Sequence, residues 1–138
     1  MAKPHITFFC ELESEDLAGF FQQPGLLDDL KSMHASVSLG LLDFHPSRAE
    51  AVRKLNDAQI PVVAWLLLPK QEGYWCNLRN AQQAVARYKE FKRWSEQHGL
   101  TWDGVALDIE PDIRDLEQLG KTRVRMGWQF LKRIFRQQ

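Results

Sequence analysis

Four short apolar runs punctuate the chain, and a helical pattern follows each of them. Ile6 to Glu13 alternates, with Ile6, Phe8, Cys10 and Leu12 on one face and Thr7, Phe9, Glu11 and Glu13 on the other. Ser36 to Leu42 sets Val37, Leu39 and Leu41 against Ser38 and Gly40. Ile60 to Leu68 is almost continuously apolar up to Pro69, as a strand buried on both faces would be. In the fourth run Val105, Leu107 and Ile109 share one face, and Gly104, Ala106, Asp108 and Glu110 share the other. Pro111 cannot donate to a sheet ladder, so that strand is expected to stop there.

The intervening segments carry helix signals. Between Ser14 and Gly25 the spacing predicts a loop with a turn of helix at Asp16 to Phe21. Pro24 opens a helix carrying Leu26, Leu27, Leu30 and Met33. Ser47 and Glu50 read as a capping box for a helix with Ala51, Val52, Leu55 and Ala58 inward. A longer helix is predicted from Asn80 to His98, with Ala84, Val85, Tyr88, Phe91 and Trp94 as its inner stripe and Gly99 as its stop. A final basic helix is expected over about 121–136, where Val124, Trp128, Leu131 and Phe135 recur among six basic residues and no acid. It is read as the helix that packs on the last strand, with a membrane-surface or partner-binding helix as the alternative.

Strand–helix alternation without a hairpin signal implies a single α/β domain over 1–138, with four βα units and a parallel sheet joined by right-handed crossovers. Strands one, two and four each pair an apolar face with a face of small and polar residues, which a doubly wound sheet covered on both sides would not tolerate. No phosphate-binding glycine loop follows the first strand. The expected architecture is therefore half, or a truncated part, of a (βα)8 TIM-type barrel. Such a piece leaves two unpaired sheet edges, so a longer chain, a closing tail or a homodimer that completes the barrel is expected.

The 138 residues carry no net charge, which gives no general attraction to nucleic acid. No segment approaches the length of a membrane span, and the short run before Glu11 is not a signal peptide. Cys10 and Cys76 show neither disulfide nor zinc spacing, so a reduced, cytoplasmic protein is expected.

If the first and fourth strands share a barrel, Glu11, Glu13, Asp108 and Glu110 project at one mouth. Neighbouring carboxylates raise one another's pKa, so that one can donate a proton while another stays ionised. Glycoside hydrolysis needs that division of roles; divalent-metal binding by hard oxygen ligands is a competing use. Glu110 is the candidate general acid, Asp108 its partner and Glu11 the third catalytic candidate, whereas Glu13 serves substrate binding or nothing. Tyr74 and Trp75, after the third strand, either stack on sugar rings or close the barrel end. Trp65 reads as core, His45 as a turn residue, and His34 and His98 as helix C-terminal residues. Cys76 lacks a base in its loop and is not read as a nucleophile.

Asp103-Gly-Val-Ala-Leu-Asp-Ile-Glu110 resembles the fourth-strand motif of family-18 chitinase-like glycoside hydrolases, Asp-Gly-x-Asp-x-Asp-x-Glu. The resemblance implies a (βα)8 barrel with Glu110 as acid, Asp108 orienting a substrate N-acetyl group, and Asp103 opening the motif as a substrate-binding residue. Ala106 departs from the pattern where the family has its middle Asp. Three functions are expected from these features. The first is a glycoside hydrolase-like protein that acts on or binds carbohydrate. The second is a non-catalytic carbohydrate-binding or self-assembling half-barrel module, and the third a metal-dependent phosphodiester hydrolase. No cofactor and no resident metal is assigned.

Overall fold

The computed structural model describes residues 5–114. Its elements run β1 (Thr7–Cys10), α1 (Ser14–Phe20), α2 (Leu26–Ser32), β2 (Ser36–Leu41), α3 (Pro46–Asp57), β3 (Val62–Leu66), α4 (Ala81–His98) and β4 (Gly104–Leu107). The helix expected over 121–136 lies outside the described residues.

All four strands are parallel and adjacent in chain order, β1-β2-β3-β4. The register sets Cys10, Leu39, Ala64 and Val105 side by side, so the face assigned to the apolar residues is continuous across the sheet. On that face one core cluster gathers Leu17 of α1, Leu30 of α2, Val52 and Leu55 of α3, and Phe91 and Trp94 of α4 with Leu39, Leu41, Val62 and Leu66. All four helices therefore pack on the same side, as successive right-handed crossovers in one direction require. The opposite face has its own smaller cluster around Trp65, Leu67 and Tyr74. The sheet does not close among the described residues, and β1 and β4 are its two edges.

Three helices end alike. His34, Gln59 and Gly99 adopt left-handed φ values of 52°, 57° and 60°. The next residue's N–H then returns to the carbonyl five back: Ala35 to Leu30, Ile60 to Leu55 and Leu100 to Ser95. These compact stops turn each helix straight toward the following strand. His34 thus has a backbone role at its helix end, and the His98 ring lies 5.7 Å from that of Trp94.

Two local expectations are corrected. Helix α3 starts at Pro46, with His45 as N-cap accepting from the Ser47 N–H through Nδ1, in place of the Ser47–Glu50 box. Proline's fixed φ suits the first helical position, which shifts the cap upstream. In α4, Val85 and Tyr88 are 55% and 47% exposed, and the buried stripe is Phe91, Trp94 and Ser95. Arg87 takes the inward place beside them. Its guanidinium stacks on Phe44 at 4.0 Å and donates to the carbonyls of Leu41 and Leu67.

Candidate functional site

The C-terminal ends of the strands are tied down by buried polar side chains. Arg48, fully buried, projects from α3 and donates to the carbonyls of Gly40 and Leu12 and to the Asp43 carboxylate. Burial would lift the Asp43 carboxyl, but hydrogen bonds from Arg48, the His45 N–H and the Ser14 hydroxyl outweigh it and hold the pKa at about 2. Asn80, also buried, accepts from the Asn77 N–H and donates to the carbonyls of Glu72 and Trp75. It thereby sets the shape of the loop between β3 and α4. Sequence reasoning passed over all three side chains as site determinants.

That loop is bent at Gly73 (φ 107°) and Tyr74 (φ 63°). A Cβ at residue 73 would stand 2.8 Å from the Asn80 amide nitrogen, so glycine is needed there for space as well as for φ. Tyr74 occupies a conformation that costs most non-glycine residues energy, and such residues concentrate where a side chain must be aimed. Its hydroxyl donates to Glu11 Oε1. Burial and then that carboxylate push the Tyr74 pKa above the usual phenol range. Glu11 runs beside Gly40, where an added Cβ would meet the Cys10 carbonyl oxygen at 3.3 Å and the Glu11 Cγ at 3.4 Å.

Downstream of the bend, the loop zips onto the end of β4. The Cys76 N–H donates to the Asp108 carbonyl at 2.9 Å and the Glu110 N–H donates to the Cys76 carbonyl at 3.1 Å. These bonds extend the strand geometry past Leu107, and they hold Asp108 and Glu110 on the helix-free face. The Asp108 carboxylate accepts from the Trp65 indole N–H at 3.1 Å, and Trp65 meets Phe9 edge to face at 5.6 Å. Glu110 is exposed. Trp65 is indeed buried, yet its indole anchors Asp108, a role that its place in an apolar strand concealed.

The candidate residues divide as follows. Glu11 and Asp108 are each held by an aromatic side chain, while the exposed Glu110 follows Asp108 by two residues. Because β1 and β4 are opposite edges, Glu11 and Asp108 start three strand spacings apart, about 14 Å at about 4.8 Å per strand. The expected direct meeting of the acids is thus replaced by an acid at each side of an aromatic floor. Tyr74 is only 8% exposed, so it orients Glu11 and offers no open stacking face; half-buried Trp75 remains the candidate for stacking. Glu13 occupies the N-cap position of α1 without a side-chain capping bond and borders an open hollow with Ser14, Asp43 and His45. Asp103 lies at the other end of β4, with its N–H on the Val62 carbonyl, and does not belong to this rim. No group of three acid, His or Cys side chains suited to a metal ion occurs among the described residues.

Comparison with protein-family models, curated proteins and solved structures gives no match to this chain. No described helix is long and apolar enough to cross a membrane.

Burial, and next the Asp108 charge, push the Cys76 thiol above its ordinary range. Asp108→Asn is expected to speed alkylation of Cys76 by iodoacetamide at mildly alkaline pH several-fold, because only the thiolate reacts. Cys10, buried with a raised pKa, should stay slow in both proteins. Peptide mass spectrometry after timed quenching reads both sites; an unchanged Cys76 rate would separate the carboxylate from the thiol.

Proposed function

We propose that this chain carries a glycoside hydrolase-like carbohydrate site on the helix-free face, at the C-terminal end of a half (βα)8 barrel. Glu110 is the general acid, Asp108 the carboxylate that orients the reacting sugar, and Trp75 the stacking surface. The observation that carries this reading is the pairing of an anchored and a free acid. Asp108 is fixed by the Trp65 indole, and Glu110, two residues on and on the same face, is open to solvent. Fixing one carboxylate while leaving the other accessible suits one that positions and one that protonates. Chain-order winding with every helix on one side supports the barrel reading.

The non-catalytic form of the same function has its own support. Ala106 is in register with Trp65 and packs against the cluster containing it, so an Asp at that position would press against the indole. A chain that binds sugar without cleaving it fits that arrangement. The metal-dependent phosphodiester reading finds no support in the described acid groups.

The test is titration of the purified chain with N-acetylglucosamine oligomers and a panel of other glycans, followed by tryptophan fluorescence and calorimetry. Saturable binding is expected, weakened about tenfold by Trp75→Ala, the upper range of an aromatic contact. Absence of binding and turnover across the panel would remove the proposal.

A further inference from the structure

We infer that the outer edge of β1 is a docking site for an extended basic peptide. The peptide adds to the sheet as a further strand and sets alternate apolar side chains into the groove beside α1 and α2. This surface is separate from the Glu110 end of the sheet and does not depend on carbohydrate binding.

The backbone supplies one half of the recognition. Among the described residues β1 pairs only with β2. The Ser36 N–H donates to the Ile6 carbonyl, and the Cys10 carbonyl oxygen lies against Gly40 of β2. In a parallel ladder Ile6, Phe8 and Cys10 therefore turn their peptide groups toward β2. Thr7, Phe9 and Glu11 turn theirs outward, where no described strand meets them. Ile6 to Cys10 contains neither a charged residue nor a proline, the usual guards of a free edge.

The side chains supply the other half. Along this edge a groove of about 480 Å³ opens on the helix side, lined by Phe8, Phe20, Leu26 and Leu30. Phe8 is 42% exposed, and on the opposite face Phe9 is 70% exposed. An added strand sends every second side chain into the groove and the ones between to the helix-free face. Charge then selects the occupant. The groove lining includes Glu11 and Asp29 and no lysine or arginine. The helices beside it carry Glu15, Asp16, Asp28 and Asp29 in their first turns. Outward peptide groups, an apolar groove and an acidic border together fit a strand that is apolar at alternate positions and basic between them.

The probe is a blocked hexapeptide alternating valine and lysine, with a valine–glutamate counterpart, titrated into the full chain and followed by NMR. Saturable binding of the lysine peptide is expected. Amide exchange at Phe9 and Glu11 should slow at least about tenfold, while Phe8 and Cys10, already paired with β2, change little. The glutamate peptide should bind about fivefold more weakly, the range of an exposed charge pair. Phe9→Pro removes one outward N–H and spares the β2 ladder, so it should weaken binding about tenfold. Asp29→Lys, at an exposed helix position, should narrow or reverse the preference between the two peptides. Circular dichroism checks the fold of both variants; if Phe9→Pro does not fold, Asp29→Lys and the exchange pattern carry the test. Absence of saturable binding would overturn the proposal. So would equal affinity for the two peptides, or binding that leaves Phe9 and Glu11 unprotected. A wild-type dimer with those amides protected before any peptide is added would also overturn it, because a second copy would then hold the edge.

Discussion

Replacing Arg48 with methionine is expected to cost about 3 kcal/mol of folding stability, a large share of a domain's margin. The guanidinium is fully buried and satisfies Gly40, Leu12 and Asp43 at once. Its loss strands two strand-end carbonyls, each of which costs about 1–3 kcal/mol when left unpaired away from water. The Asp43 side chain keeps 41% of its exposure, so water can take over that partner, and this keeps the total at the lower end. Urea denaturation measures it directly, and a change under about 1 kcal/mol would mean that water reaches the site. The pair also predicts an acid dependence. Asp43 has a folded pKa of about 2, below its unfolded value of about 3.9. Its contribution is therefore present above about pH 4 and is lost as the pH falls toward 2. Arg48→Met should flatten that part of the stability profile.

Glu110→Gln is expected to lower turnover of the best glycan substrate by about 10²–10⁴-fold, the usual worth of a positioned general acid. Binding should change little, since glutamine keeps the shape and loses only the proton. Asp108→Asn should act on kcat as well, because its carboxylate positions the reacting sugar and the Trp65 N–H holds it in place. Initial rates on the wild-type protein and both variants decide the matter. Equal rates for wild type and Glu110→Gln would exclude Glu110 as the acid, and a protein that binds without turnover would establish the non-catalytic form.

The period-two patterns of the strands made the sheet, its faces and the acids at the end of β4 legible, because one face had to be apolar throughout. The arginines were harder to read. Arg48 precedes Ala51, Val52 and Leu55 by three, four and seven residues, which puts it on the inner stripe of α3. Arg87 stands in the same relation to Phe91 and Trp94. A charged residue on an apolar stripe was the available signal, and periodicity that counts only apolar residues passes over it. What no local pattern could supply was partnership across the sheet. Tyr74 reaches Glu11 over sixty-three positions, and Trp65 reaches Asp108 over forty-three. That Glu11 runs beside Gly40 depends on strand register, which the sequence leaves open.

Because each of the described strands pairs only with its neighbours in the chain, this part of the molecule is assembled like a ladder whose rungs are added in order. Each closure spans one crossover, so the entropy of loop formation is met in small instalments and no distant end must be found first. Growth can start at the β2–β3 pair and spread outward, much as a repeat array elongates. Adding or removing one strand–helix unit at either rim would then disturb one seam and spare the rest.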